Sequence, residues 1–587
     1  MRVSPHRAAG HRVAALAAPG YALALTLLVT GPLWRPGYLL LRDAVATPRS
    51  YLTDAALGLG PAAPRAVPQD FLVAVASRVL DGGVVVTALL VAGVWLAGAG
   101  AARLVHQVLP QTGLGGQCVA VTVAIWNPYV AERLLQGHWS LLVGYGALGW
   151  VAAAAVRART DPTAGATTLA ALMFWVVVAG LTPTGVILAA LVAVVIAVGA
   201  GPPGPRWPTL CAGLGAALAA AGPWLAAVVV NPEPLAPVGS AAPGVAAFAA
   251  RAEPGLGTLG AVAGLGGIWN GEAVPTSRTT AVAVLATAVL LAVVAAGIPT
   301  VARHPAARWL LVVAAVAVAA PAAAATGAGQ AVLTAAIDAA PGLGVLRDGQ
   351  KWVALALPAY TLAAAAAVPV LARWLRPALA AAVCCAALLA VLPDLAWGVC
   401  GAVRAVHYPP GWAAVAAAVN ADPRPVAVLP AGSMRRFGWA GPAPVLDPLP
   451  RWVRAEVLAP GDLVISGRVV PGEGVHNHAV QQVLLDGADP AALAAAGVGW
   501  VVIDDGGAHV DPDVAATLQQ LPLQYGDADL AAYRVGGQAP GASAGARRIV
   551  IGAHLLWLAV GAGAAAVALT ARRRGAPSTT EGAGQVL

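Results

Sequence analysis

The first candidate for chemistry is a polar segment at residues 40–60, LLRDAVATPRSYLTDAALGLG, which contains Asp43 and Asp54. A carboxylate held just outside a long apolar run can act as a general base on a hydroxyl group. Such oxygen ligands can also bind a divalent cation. The structural alternative is an aspartate that caps a helix of the loop. The segment therefore predicts a catalytic carboxylate, with Asp43 as the first candidate and Asp54 as the second.

A second polar group lies in residues 126–145, WNPYVAERLLQGHWSLLVGY, between two apolar runs. Its aromatic residues are typical of the belt at a membrane–water interface. That belt does not account for Glu132, Arg133 and His138. An arginine can bind a phosphate, and a histidine or glutamate can orient an acceptor or a leaving group. The alternative is an internal Glu–Arg–His network that only braces the turn.

A third polar group lies in residues 344–355, GVLRDGQKWVAL, which contain Arg347, Asp348 and Lys351. Lys351 is the only lysine in a chain whose other basic residues are all arginine. A compact ammonium group is suited to a phosphate. The alternative is a lysine that extends its charge to the membrane surface.

The composition places these groups on a membrane protein. The chain has 587 residues, of which 59% are hydrophobic and 10% are charged, whereas soluble domains have roughly 25% charged residues. Its apolar runs of roughly 17–25 residues have the length that crosses a bilayer as a helix. The sequence therefore predicts a polytopic α-helical membrane protein with about 12 transmembrane helices.

The arginines predict how the chain is oriented. With both termini in the cytoplasm, the inner segments and helix ends hold 14 arginines against two acidic residues, Asp161 and Glu581. Positive charge collects on the cytoplasmic side of membrane proteins. We therefore interpret the net charge of +8 as a topology signal in the cytoplasmic membrane. A nucleic-acid partner would require a basic face on a soluble module, and none is predicted.

Four regions follow from this topology. Residues 1–398 form a membrane body of about 11 transmembrane helices, with outer loops at 34–83, 231–279 and 327–350. Residues 399–548 form a small extracytoplasmic α/β domain, because predicted helices alternate with short apolar strands at 426–429 and 498–504. Residues 549–571 are the last transmembrane helix, and residues 572–587 are a cytoplasmic tail. The three polar groups then lie on the same, outer side.

The segments with Asp43, ERLLQGHW and LRDGQKW, set in such a body, resemble the GT-C superfamily of glycosyltransferases that use polyprenyl-phosphate donors. Within it, the chain is similar to actinobacterial mannosyl- and arabinofuranosyltransferases of the cell envelope. The resemblance implies a sugar donor carried by polyprenyl phosphate and a cell-envelope glycan or lipoglycan as acceptor. Many members have two adjacent acids in the first loop, whereas here Arg42 precedes Asp43.

The resemblance also implies roles for the residues. Asp43 would be the catalytic base, with Asp54 as a possible second acid. Arg133, Arg347 and Lys351 would neutralise the donor phosphate. Glu132 and His138 would position the substrates, with Asp348 beside them. A divalent cation, Mg²⁺ or Mn²⁺, is a possible cofactor.

Two other functions remain open from the sequence. One is a membrane protein without catalysis that presents the domain 399–548 to envelope assembly, which the missing acid pair favours. The other is a transporter of lipid or polysaccharide. Transport usually requires ionisable groups inside the membrane, and the apolar runs have almost none.

Overall fold

The computed structural model describes residues 5–61, 63–161, 165–199, 204, 206–231, 240–465, 467–472, 474–504 and 510–574. Part of the predicted outer loop 231–279 and most of the predicted tail 572–587 lie outside these residues. Within them the chain is mostly helical, and the strands lie between residues 38 and 45 and between 405 and 534.

The membrane body is formed by helices that precede residue 402 and by the last helix of the chain. These helices are α1 (Pro5–Thr30), α2 (Gln69–Ala76), α3 (Gly82–Val108), α4 (Gly113–Ile125), α5 (Pro128–Leu135), α6 (Trp139–Thr160), α7 (Ala166–Ala179), α8 (Pro183–Val198), α9 (Arg206–Val230), α10 (Ala242–Ala247), α11 (Gly257–Ala263), α12 (Val282–Ala302), α13 (Arg308–Ala324), α14 (Gly327–Ala339), α15 (Leu357–Leu371), α16 (Pro377–Ala390) and α17 (Ala396–Gly401). The last helix spans Ala544–Arg574.

Among the described residues, seven helices are long and apolar enough to cross a membrane, or nine if two bent pairs each count as one span. The predicted count of 12 is therefore not confirmed. Polar caps divide several apolar runs into shorter helices. Asn127 caps α5, with Pro128 at its first position, and so separates it from the 13-residue α4. Thr182 and Pro183 start α8 in the same way, directly after the 14-residue α7.

Helix α3 packs closely against α6, and this packing fixes the position of the polar turn that precedes α6. A Cβ atom added to Gly146 would lie 2.2 Å from the carbonyl oxygen of Gly93. Small residues let membrane helices approach this closely. Because α6 begins at Trp139, its packing also fixes the polar turn that precedes it.

Residues 405–534, which we call the late domain, combine short helices with strands. Its helices are α18 (Pro410–Ala421), α19 (Leu449–Trp452), α20 (Val475–Leu485), α21 (Pro490–Ala495) and α22 (Pro512–Leu518), which makes Ala544–Arg574 α23. Its strands are β3 (Ala405–Val406), β4 (Val426–Leu429), β5 (Met434–Arg435), β6 (Val445–Leu446), β7 (Leu463–Ile465), β8 (Arg468–Val470), β9 (Trp500–Ile503), β10 (Leu523–Gly526) and β11 (Ala531–Arg534), after β1 (Tyr38–Leu41) and β2 (Ala44–Val45) of the body.

The main sheet has the strand order β10-β11-β9-β4, in which β4 and β9 are parallel and the other pairs are antiparallel. Helices pack on it through two clusters of buried apolar side chains.

A small sheet joins the late domain to the first loop of the body, residues 34–83. Its order is β2-β1-β3, so β1 of the loop pairs with β3 of the domain. Directly after β1, the backbone N–H of Arg42 donates to the carbonyl of Pro444 in the late domain at 2.9 Å. Hydrogen-bonded strands cannot lie on opposite sides of a bilayer, so the first loop and the late domain lie on the same side. The chain is a helical membrane protein with a domain that packs on this loop.

Candidate active site

The turn between β1 and β2 places Asp43 on top of the turn between α5 and α6. Arg42 has a φ of 49°, which brings Asp43 into the turn, and the Asp43 N–H donates to the carbonyl of Gln136 at 3.2 Å. Gly137 has a φ of 80°, and a Cβ atom there would lie 2.3 Å from the backbone nitrogen of Ala44. Only glycine permits this approach, so the first and second polar groups of the sequence meet here.

The carboxylate of Asp43 is held through one of its two oxygens. Oδ2 lies 2.8 Å from Nε2 of His138 and accepts a hydrogen bond from Nε2 of Gln136 at 3.2 Å. Oδ1 has no hydrogen-bond partner among the residues that the structure describes, and the side chain is 36% exposed. Asp43 is thus fixed in position while one oxygen stays open to a substrate.

Arg133 connects this carboxylate to the third polar group. Its two terminal nitrogens donate to the two oxygens of Asp348 at 2.8 and 3.0 Å, and one of them also lies 2.9 Å from Nδ1 of His138. The guanidinium can only donate. Nδ1 of His138 must therefore accept, and its Nε2 carries the hydrogen that is donated to Asp43.

The directions of the pKa shifts of His138 and Asp43 agree with this tautomer. Burial places the pKa of His138 below its ordinary value of 6.5, although the hydrogen bond to Asp43 opposes this. Burial would raise the pKa of Asp43, but the hydrogen bond from His138, together with Gln136 and Lys351, outweighs it and holds that pKa below 3.8. At neutral pH the pair therefore consists of a neutral imidazole and an ionised carboxylate.

Lys351 places a positive charge at the open side of the network. Its Nζ lies 3.6 Å from Oδ2 of Asp348, and its side chain is 26% exposed, against 8% for Asp348. Its backbone carbonyl accepts a hydrogen bond from the hydroxyl of Tyr129 at 3.2 Å. The charges of Arg133 and Lys351 outweigh burial and hold the pKa of Asp348 well below its usual range. The ammonium group is thus anchored by an ionised partner and still faces solvent.

Glu132 connects the hydrogen-bond network of Asp43, His138, Arg133 and Asp348 to the backbone of a neighbouring loop. It is fully buried and accepts hydrogen bonds from the N–H groups of Gly267 and Ile268 at 3.2 and 3.1 Å and from Gln350 at 3.0 Å. Burial and the nearby Glu253 raise the pKa of Glu132 to about 8. Like Arg133, whose side chain has no exposed surface, Glu132 holds other groups rather than facing a substrate.

Asp54 and Arg347 have their contacts elsewhere. Asp54 forms a two-pronged ion pair with Arg547 at 2.6 and 2.7 Å and accepts from the N–H of Ala542 at 2.9 Å. It links the first loop to the start of α23 and does not supply a second acid to Asp43. The guanidinium of Arg347 stacks over Phe248 at 5.4 Å. The contacts described above join six of the eight candidate residues, whereas Asp54 pairs with Arg547 and Arg347 contacts Phe248.

Three other residues complete the site. Gln136 and Gln350 hold Asp43 and Glu132, and the guanidinium of Arg42 donates to the carbonyls of Leu135 and Glu272, both at 2.7 Å. Arg42 and Gln350 adjoin charged candidates in the sequence, and Gln136 lies two positions before His138. An uncharged amide or a flanking arginine gives no sign of function by itself, so only the fold shows that they matter.

No group of three or more His, Cys, Asp or Glu side chains in the described part of the chain could hold a metal ion. Next to Asp43, Nε2 of His138 and Nε2 of Gln136 donate to the carboxylate, while Nδ1 of His138 accepts from Arg133 and the amide oxygen of Gln136 accepts from Asn270. The residues present therefore do not fit a resident divalent cation, and no chemical step below uses one.

An apolar groove runs along α13 in the membrane body, and part of its wall is the segment that carries Lys351. Its cavity volume is about 640 Å³, and its lining includes Val316, Trp309, Leu346, Gly349 and Trp352. The last two flank Lys351 in the chain. From Trp309 to Ala324, both in the lining, α13 extends for about 22 Å, most of the roughly 30 Å of a bilayer's hydrocarbon core. A long apolar chain could lie in this groove with its polar end at Lys351.

The buried, neutral His138 predicts that the protein loses stability in mild acid. Its pKa is lower in the folded than in the unfolded chain, so its contribution is complete above pH 6.5 and is lost as the pH falls through the folded value. Each unit of lowering corresponds to about 1.4 kcal/mol. Thermal unfolding in detergent from pH 8 to 5 should show a smaller acid loss in His138→Gln than in the wild type. The exposed control His407→Gln should behave like the wild type, and an unchanged slope in His138→Gln would contradict the assignment.

No family model and no curated protein sequence matches the chain. Among solved structures, the chain is similar to the arabinofuranosyltransferase AftD from mycobacteria, with 17% identity, 90% of this chain and 40% of that chain covered, and a TM-score of 0.55. A variant of AftD gives 17% identity, 89% and 41% coverage, and a TM-score of 0.54. The chain thus spans about 40% of the length of these proteins. From this similarity, the chain has the fold of the GT-C glycosyltransferases.

Proposed function

We propose that the chain is a membrane glycosyltransferase that moves a sugar from a polyprenyl-phosphate donor to a glycan or lipoglycan of the cell envelope. One observation carries the proposal: a fixed carboxylate with one open oxygen lies in the same network as a partly exposed lysine, and the segment that carries this lysine also lines a long apolar groove. A base, a phosphate-binding cation and a lipid-binding groove are the three parts that such a transfer requires. The GT-C fold supports the same class of reaction.

The donor would bind at Lys351. Its polyprenyl tail would occupy the apolar groove, where burying each CH₂ group contributes about 0.8 kcal/mol. Its phosphate would meet the ammonium group, which Asp348 holds in place. Arg133 is buried beneath these groups, so we assign it a positioning role rather than the phosphate contact that the sequence suggested.

The chemistry would be one displacement. Oδ1 of Asp43 takes the proton of the acceptor hydroxyl, and the hydroxyl oxygen forms a bond to the anomeric carbon of the donor sugar. The bond between that carbon and the phosphate oxygen breaks, and its electron pair leaves with the phosphate. Lys351 stabilises the charge that develops on this leaving group. His138 and Gln136 keep Asp43 oriented throughout.

We place the reaction on the extracytoplasmic side of the cytoplasmic membrane, with both termini in the cytoplasm. The arginine distribution supports this orientation. It requires residues 34–83 and the late domain to share one side, and the sheet of β1 and β3 is consistent with that requirement.

The function can be tested with the purified chain in lipid nanodiscs. Polyprenyl-phosphate donors with labelled arabinofuranose or mannose would be offered together with envelope glycans as acceptors. We expect the labelled glycan and free polyprenyl phosphate to appear in equal amounts. The same glycans would be analysed in a strain from which the gene for this chain has been deleted. If the purified chain consumes no donor and that strain has normal envelope glycans, the chain is a non-catalytic protein and the proposal is wrong.

Filling the groove should weaken donor binding without changing the chemistry. Val316 lies on α13 in the groove lining, and Val316→Trp would displace about two CH₂ groups of the tail, which corresponds to about a tenfold higher KM for the donor. Leu285→Trp, on the exposed face of α12, is the matched control and should keep the wild-type KM. An equal KM in both variants would place the lipid tail elsewhere.

A further inference from the structure

A second cavity, separate from the groove, lies where the first loop meets the late domain. Its volume is about 160 Å³, and its lining includes Ser50, Tyr51, Ala55, Asp70 and Arg451. Ala55 is exposed whereas Ser50 is buried, so the cavity opens to solvent beside Ala55. We call it the loop–domain cavity.

The walls of this cavity are polar and already fixed. Arg451 pairs with Asp70 at 3.2 Å, with side-chain exposures of 18% and 17%. The backbone N–H of Tyr51 donates to the carbonyl of Arg451 at 3.0 Å. The hydroxyl of Tyr51 has no hydrogen-bond partner within the described residues. The cavity therefore presents a carboxylate, a guanidinium and a free phenol from two separate parts of the chain.

This set of groups suits a neutral sugar better than an anion. A carboxylate accepts hydrogen bonds from sugar hydroxyls, and a guanidinium and a phenol donate to sugar oxygens. A phosphate or sulfate at the same place would meet the negative charge of Asp70. An engineered cavity of about 150 Å³ holds benzene, a single six-membered ring, so the loop–domain cavity has the size of one sugar ring.

The position of the cavity relates it to Asp43. Ser50 follows Asp43 by seven positions in the sequence, and a chain of that length spans at most about 25 Å. Within that span, a glycan of several units can place its end at Asp43 and an earlier ring in the cavity. Both ends of that path lie on one side of the membrane, because the first loop carries them both.

We propose that the loop–domain cavity is an acceptor subsite that binds one internal ring of a glycan chain whose end is extended at Asp43. The inference rests on the proposed function and makes it more specific, because the acceptor is then an oligosaccharide of several units rather than a single sugar. Long acceptors bind through both places, and short acceptors bind at Asp43 alone.

The test measures binding of oligosaccharides to the full chain in detergent by titration calorimetry, with arabinofuranose and mannose oligomers of two and six units as probes. For the sugar that binds, the six-unit oligomer should have about a tenfold higher Kd with Tyr51→Phe or Asp70→Asn than with the wild type. The two-unit oligomer should bind all three proteins equally. Tyr51→Phe keeps the ring and the backbone contact, so it reports on the subsite even if Asp70→Asn loosens the domain. Asp422→Asn breaks an ion pair elsewhere in the late domain and should bind like the wild type.

The affinity of Tyr51→Phe for the two oligomers shows whether the cavity is a subsite. If Tyr51→Phe leaves the affinity for the six-unit oligomer unchanged, or weakens both oligomers equally, the cavity is not a subsite and the Asp70–Arg451 pair only holds the domain in place. Because binding is measured without donor, the result does not depend on catalysis. A protein that binds long oligomers through Tyr51 but transfers no sugar would refute the proposed function and leave the subsite standing.

Discussion

Replacing Asp43 by asparagine is expected to lower the rate of sugar transfer about 10²–10⁴-fold, the usual contribution of a general base. Asparagine can still accept the hydrogen bond of His138 through its amide oxygen, so the network should survive and the protein should stay folded. The amide cannot take a proton from the acceptor. The rate of transfer from a labelled donor, measured beside the unfolding temperature, separates lost chemistry from lost structure.

Asp54→Asn is the matched control for this experiment. Asp54 lies in the same loop, but it pairs with Arg547, so its replacement should change the transfer rate less than severalfold. If Asp54→Asn abolishes transfer and Asp43→Asn does not, the wrong carboxylate has been assigned. If neither variant changes the rate, no carboxylate of this loop is the base.

The second large effect is expected at Arg133. Arg133→Met leaves the buried carboxylate of Asp348 without its two-pronged partner, and breaking a buried pair in this way costs about 3–5 kcal/mol of stability. It also removes the donor that fixes the tautomer of His138, so transfer should fall as well. The free energy of unfolding in detergent and the transfer rate are the two quantities to measure.

A double variant shows whether the pair acts as a unit. In Arg133→Met with Asp348→Asn, no buried charge is left alone, and part of the lost stability should return as a coupling energy. Arg424→Met, at a partly exposed pair with Asp422, should cost only about 0–1 kcal/mol. Additive losses for Arg133 and Asp348 would contradict the coupling.

The residues that meet at the site could be chosen from the sequence because charge is so scarce in this chain. Asp43, Glu132, Arg133, His138, Asp348 and Lys351 all lie where polar segments interrupt apolar runs, and such segments cannot be buried in lipid. The positive-inside pattern then assigned the three segments to one face. Their hydrogen bonds could not be foreseen, because they depend on the turn at Arg42 and on the contact of Gly137 with Ala44.

The differences between the structure and the sequence-based expectations have physical causes too. Asp54 lies eleven residues after Asp43 in the same loop. Its partner Arg547 is almost five hundred residues further on, so no local feature of the sequence indicates the ion pair. Arg133 has the right chemistry for a phosphate, and only burial shows that it serves Asp348. The number of spans is not confirmed because several apolar runs form helices of 13 to 16 residues, which are shorter than a full span.

The late domain also contains one feature that the sequence predicts and one that it does not. The apolar segments at 426–429 and 498–504 have the composition of buried strands, and β4 and β9 occupy these positions. The pairing of β1 with β3 joins segments that no periodicity relates. That sheet holds the late domain against the loop that carries Asp43.

The central claim is that Lys351 and Asp43 receive a lipid-linked sugar phosphate whose tail lies in the groove along α13. The most direct measurement is a cryo-EM structure of the chain in nanodiscs with a polyprenyl-phosphonate sugar analogue that cannot be cleaved. We predict the phosphonate within ion-pair distance of Nζ of Lys351, the anomeric carbon facing Oδ1 of Asp43, and the tail beside Val316. A phosphonate bound away from Lys351, or a tail outside the groove, would contradict the account.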